Sequence, residues 1–290
     1  MLRLRVSLLT ITFVASPALA HGGEHHSSAP GWTLDPLVTV PLGILLVVYV
    51  VGAMRLRQRA VRTRSSALSF FAGWAVLTLA LVSPLHQGGE RSFTLHMIEH
   101  ELIMLVATLL LAASRAGGAM AWGVPQPVAR AFAFGALKAI WRRLTEPVTA
   151  TVVQAVAMWA WHMPALFDRT LESRGWHIAQ HMSFIATSLL FWWAMLHVQR
   201  GRYGLSAACL FVTSLVGGAL GALMAFSSSP WYAPYAAMGM TGIGLDPITD
   251  QQLAGLLMWI PGGMVHAGAA LLLLYRWLKS SEGRRAAAAH

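Results

Sequence analysis

Cys209 is the only cysteine in this sequence. One thiol excludes an intramolecular disulfide framework, a CxxC redox motif and a metal site made of thiolates alone. Near the end of an apolar stretch, Cys209 reads as a small buried residue. Charge is also scarce. Asp, Glu, Lys and Arg make up 11% of the 290 residues, against about 25% in a soluble domain, which argues against an ordinary soluble enzyme. Acidic residues are the scarcer sign, 11 against 21 basic ones, giving a formal net charge of +10. Such a balance elsewhere suggests nucleic acid as a partner. Here the basic residues lie almost wholly between apolar segments, so topology accounts for them and no nucleic-acid partner is expected.

The apolar residues fall in long runs, and the mean hydropathy is +0.58. A helix needs about 20 apolar residues to span a bilayer. Stretches of this kind lie near 36–54, 66–85, 94–113, 147–167, 177–197, 205–226 and 252–275. They predict an all-α integral membrane protein, a bundle of seven transmembrane helices over 36–278. Gly217 and Gly221 form a GxxxG pair in the sixth, a spacing that lets helices approach closely.

Basic residues set the orientation. Arg55, Arg57, Arg59, Arg62 and Arg64 follow the first span, and Arg115, Arg130, Lys138, Arg142 and Arg143 follow the third. Arg200 and Arg202 follow the fifth, and Arg276, Lys279, Arg284 and Arg285 lie at and beyond the end of the seventh. The alternate loops hold only Arg91, Arg169 and Arg174. Positive charge stays inside, so the mature N-terminus is expected outside and the tail 279–290 in the cytoplasm. Residues 1–20 agree: Arg3 and Arg5, an apolar core from Val6 to Val14, and Ala18-Leu19-Ala20 form a cleavable secretory signal. The expected address is the bacterial cytoplasmic (inner) membrane. The inner loop 114–146, with Lys138, Trp141 and Arg142, suits an amphipathic helix on the anionic leaflet. The outer loop 227–251 suits a lid or docking surface.

Histidine is expensive in lipid and is a common metal ligand. Two HxxxH pairs open two separate apolar helices, His96/His100 in HMIEHELIM and His177/His181 in HIAQH. Residues three or four apart share a helix face, so His96, His100, Met97 and Met104 fall in one sector, bordered by Glu99 and Glu101. Imidazole suits several transition metals and thioether selects Cu(I). A carboxylate beside a ligating imidazole orients it, a role open to Glu99 or Glu101. His162 ends the fourth span and His86 lies just outside the second. On this topology all six of these histidines are outside or in the outer leaflet, facing the periplasm. They predict one intramembrane site for a metal or a haem. The competing reading of any one of them, or of His266 in the seventh span, is an interhelical hydrogen bond. The tract 21–35 begins HGGEHH; His21, His25 and His26 suit metal capture, and a solvated tail is the alternative. Asp250 precedes the seventh span and is expected to cap it, with an ion-path role as the alternative.

Four segments in order resemble the CtaG family of cytochrome c oxidase assembly factors: LHMIEHELIM, WAWHMPALFD, WHIAQHMSFIATSLLFWW and DPITDQQLAGLLMWIPGG. Together they cover most of residues 35–278. The resemblance implies a non-enzymatic role in maturing a haem-copper terminal oxidase, with copper delivery or insertion as its content and oxidase subunits as partners. By residue it points to His96, His100, His162, His177 and His181. The signal and HGGEHH depart from the family pattern and leave open a role in periplasmic copper handling, with periplasmic copper chaperones as further partners. Two other functions fit the residues. Two histidines from facing helices can clamp a haem b in an electron carrier or reductase. A copper transporter is the other, although Cys209, His197 and His266 make a thin inner site.

Overall fold

The computed structural model describes residues 30–57, 64–132 and 135–288. The expected signal peptide and His21, His25 and His26 lie outside the described residues. Among those described, every regular element is helical. Five helices are long and apolar enough to cross a bilayer: Pro36–Leu56, Ser65–Val82, Phe93–Ala113, Tyr203–Ala225 and Pro247–Lys279. The chain is therefore a multi-pass membrane protein. Large apolar side chains such as Ile44, Val47, Phe211 and Leu271 point outward, while the interior carries buried histidine, glutamate and glutamine. An apolar solvent around the bundle explains both.

In chain order the elements are α1 (Pro36–Arg57), α2 (Arg64–Val82), α3 (Pro84–Gly89) and α4 (Phe93–Glu101). A π-helical turn (Leu102–Ala107) joins α4 to α5 (Thr108–Ala113). The expected inner loop folds into α6 (Gly117–Gly123), α7 (Gln126–Phe132) and α8 (Gly135–Leu144). No residue of α8 is buried, and its last turn carries Arg142 and Arg143. Then come α9 (Pro147–His162), α10 (Pro164–Glu172), α11 (Arg174–Leu196), α12 (Tyr203–Ala225), α13 (Ala233–Met238) and α14 (Pro247–Ala288). The segments expected as the fourth and fifth spans are helical, as α9 and α11. The fourth stops at His162, short of 167, because Pro164 forces Met163 out of the helical region, φ −64° and ψ 129°. The chain restarts as α10, with Pro164 at its first position.

The most extensive contact pairs α12 with α14. It is tight because Gly221 and Gly255 face each other. A Cβ on Gly255 would lie 2.5 Å from the Gly221 carbonyl oxygen, so a larger residue there pushes the helices apart. The expected partner Gly217 instead looks toward Met158 of α9. The working pair is Gly221 with a glycine on the other helix.

Asp250 does not cap its own helix. That task falls to Asp246, whose Oδ1 accepts from the backbone N–H groups of Ile248 and Thr249, both at 3.1 Å. Asp250, one turn further in, reaches across to the start of α4. Its carboxylate accepts from the Ser92 hydroxyl at 2.8 Å, Phe93 N–H at 2.6 Å and Thr94 N–H at 3.2 Å. The Thr94 hydroxyl donates to the Asp250 carbonyl at 2.9 Å. One buried carboxylate thus satisfies the exposed donors of another helix and suits the positive end of its dipole. Asp250→Ala is expected to cost about 1.5–3 kcal/mol, the range for hydrogen bonds to charged groups, and Asp250→Asn less. Thermal unfolding in detergent checks this; equal midpoints for Asp250→Ala and the unaltered chain would contradict the clamp.

Candidate metal centre

Four helices converge their histidines on one end of the bundle. α3 brings His86. Ser83 caps it, Pro84 starts it, and Gly88 and Gly89 let it lie close on α4. A Cβ on Gly89 would sit 3.2 Å from the His96 Cα. α4 brings His96, Glu99 and His100 from successive turns of one face. α9 ends on His162, and α11 brings His177 and His181. The two HxxxH pairs expected to face each other do so: the His96 and His177 ring centroids are 5.5 Å apart, and His100 and His181 are 5.3 Å apart.

The six imidazoles form two tiers. His86, His177 and His181 make the outer one; they offer ligand atoms that all lie within 4.8 Å of one another. They line a cavity of about 810 Å³ whose rim also carries Asp35, Glu90, Glu172 and Arg174. His96, His100 and His162 form the inner tier and are buried. His96 and His100 ring centroids are 4.3 Å apart, and His100 and His162 are 6.5 Å apart.

Glu99 braces the outer tier from within the bundle. It has no exposure to solvent. Its Oε1 accepts from His86 Nδ1 at 2.8 Å and lies 3.4 Å from His181 Nε2. Burial pulls the His86 imidazole down, but the Glu99 carboxylate outweighs this and holds it above its ordinary value.

The hydrogen-bond pattern leaves ligand atoms over. His162 Nδ1 donates to the Met158 carbonyl at 2.6 Å, which fixes Nε2 as the free nitrogen. That Nε2, both nitrogens of His100 and Nε2 of His177 and of His181 are buried without a partner at bonding geometry. Buried polar atoms are normally satisfied, and so many orphaned nitrogens in one place fit a metal. Imidazoles with a carboxylate behind them are a donor set for zinc, copper or iron.

Not every expected residue joins the cluster. Met97 is fully buried in a separate apolar group with Phe93, Phe167, Tyr232 and Tyr235. Glu101, Met104 and His266 line a different, smaller cavity. Asp250 holds α4 in place without touching the imidazoles. His86 belongs to the outer tier, its ring centroid 5.2 Å from that of His177 and 5.7 Å from that of His181. Tyr232 and Tyr235 had no signal in the sequence. The Tyr232 hydroxyl donates to the His162 carbonyl at 3.0 Å and that of Tyr235 to the Gly89 carbonyl at 2.5 Å. They tie the loop 227–251 down over the site. The part of that loop left exposed includes Met238, Met240 and Ile243.

Comparison with known proteins gives a family. The family model for the cytochrome c oxidase caa3 assembly factor (Caa3_CtaG) matches residues 47–280. An uncharacterized protein of Mycobacterium bovis and one of Mycobacterium tuberculosis are each 24% identical over 268 residues, 87% of this chain and 40% of the relative. The chain spans well under half the length of these curated relatives. No solved structure matches.

Glu99→Gln keeps the shape and the acceptor at Oε1 but removes the charge. Loss of such an orienting partner weakens metal affinity about 10–100-fold. A chelator-competition titration of the purified variant checks this, and an affinity equal to that of the unaltered chain would show Glu99 to be only a packing residue.

Proposed function

The chain belongs to the cytochrome c oxidase caa3 assembly factor family, and we propose that it is a non-enzymatic membrane factor that binds copper at the histidine centre and delivers it to a haem-copper oxidase. Copper is cargo in this reading. The observation that carries it is the set of orphaned imidazole nitrogens on His100, His162, His177 and His181, the last two of which line an open cavity. Resident structural metals favour closed, fully coordinated sites. A cluster reached through an 810 Å³ cavity suits loading and release.

In the same proposal the bundle crosses the inner membrane seven times, α9 and α11 being the fourth and fifth crossings. The N-terminus is outside and the C-terminus in the cytoplasm, following the bias of basic residues. The cavity and the outer tier then face the periplasm, where copper chaperones and the oxidase's copper-binding subunit are accessible. His21, His25 and His26 would meet incoming metal on that side. At the cavity rim Asp35 pairs with Arg174, and the carboxylates of Glu90 and Glu172 favour a cation.

A deletion strain grown under copper limitation tests this function. Terminal oxidase activity is expected to fall and to return with added copper or with the unaltered gene. The double variant His177→Ala/His181→Ala is expected to be present in the membrane but to restore no activity. Full oxidase activity in the deletion strain under copper limitation would contradict the reading, and a Soret band in the purified protein would turn it toward haem ligation.

A further inference from the structure

Glu101 follows His100 directly, yet it lies outside the histidine centre. It lines a cavity of about 40 Å³ between α4, the π-helical turn, α9, α12 and α14. Glu101 Oε2 is buried there without a hydrogen-bond partner. It has room because Gly262 carries no side chain: a Cβ on Gly262 would sit 3.4 Å from that oxygen. The other lining groups of interest are Met104, His266, and Met158 and Met258, which also pack into the apolar group that holds Met97. His266 Nδ1 donates to the Gly262 carbonyl at 2.7 Å, which leaves Nε2 as the nitrogen with a lone pair. The ring stacks on Trp192, with centroids 5.5 Å apart and planes 6° apart, and so is held in one orientation.

The π-helical turn helps shape this cavity. In it the Thr108 N–H bonds to Ile103 rather than to Met104. The Met104 carbonyl accepts instead from the Thr108 hydroxyl and the Trp192 indole, both at 2.8 Å. The irregular turn thus locks Met104 and Trp192 to each other at the cavity wall. Turns of this kind recur at functional sites.

A trapped water would account for Glu101 but not for the rest of the lining. Thioether sulfur is a weak hydrogen-bond acceptor, and three methionines from three elements gain little from water. Those sulfurs are good ligands for a soft cation. Charge limits the choice further. One carboxylate with a monovalent cation is neutral overall, whereas a divalent ion leaves a net charge in an apolar interior, which is costly.

We propose that this cavity is a second metal site, separate from the histidine centre, that takes a soft monovalent cation of the Cu(I) type through Met104, Met158, Met258 and Glu101, with His266 Nε2 as a further donor. It does not depend on the function proposed for the histidines; either site can exist without the other.

The test uses the full-length chain in detergent carrying His86→Ala/His177→Ala/His181→Ala, loaded with Ag(I) or with Cu(I) under reducing conditions. X-ray absorption on the bound metal reads its ligands. A sulfur shell is expected in this background. It is expected to vanish when Met158→Leu and Met258→Leu are added, with an unchanged thermal midpoint showing that the fold survives these near-isosteric swaps. Glu101→Gln, made separately, is expected to keep the sulfur shell and weaken Ag(I) affinity at least tenfold, which covers the case of a methionine variant that does not fold. No bound metal, a shell of nitrogen and oxygen only, a sulfur shell indifferent to the methionine swaps, or unchanged affinity in Glu101→Gln would each overturn the proposal.

Discussion

A carboxylate withdrawn from solvent holds the histidine cluster in register. Glu99 accepts from His86 and comes within 3.4 Å of His181, so it joins α3, its own α4 and α11, which lies far along the sequence. A buried charge without partners is expensive, and only this convergence of imidazoles makes its position tolerable. α3 must lie flat on α4 for His86 to reach it, which explains Gly88 and Gly89. α4 must start at a fixed height, which explains the Asp250 clamp on Ser92, Phe93 and Thr94. Polar groups deep in the bundle thus set where the helices sit, and the apolar packing of Gly221 on Gly255 draws them together.

Much of this was legible in the sequence because helix periodicity and lipid hydropathy are local signals. The apolar stretches predicted helices that exist, and HxxxH spacing placed His96 with His100 and His177 with His181 on shared faces. The same reasoning failed where the deciding contact is distant. Asp250 looks like a cap for the helix it begins, and Asp246 competes for that role four residues earlier; only the fold shows that Asp250 serves α4, 156 residues away. Met97 and Met104 share a sector with the histidines on an ideal helix. Met97 packs into an apolar group instead, and the π-helical turn beginning at Leu102 carries Met104 to a different cavity. Tyr232 and Tyr235 sit in an irregular loop with no periodic signal to mark them.

The arrangement also has a direction. The outer tier of His86, His177 and His181 borders an open cavity, the inner tier of His96, His100 and His162 is sealed, and Glu101 with its methionines lies beyond. Imidazoles near the opening give way to thioethers inside, a change from donor groups that suit several metals to donor groups that suit a soft one.

The central claim is that the orphaned imidazoles are metal ligands rather than packing groups. The most direct measurement is the copper content, by elemental analysis, of detergent-purified protein from copper-fed cells, with His100→Ala prepared alongside. Copper is expected near or above one per unaltered chain and is expected to be substantially reduced in the variant. Equal copper in both, or none in either, would contradict the account.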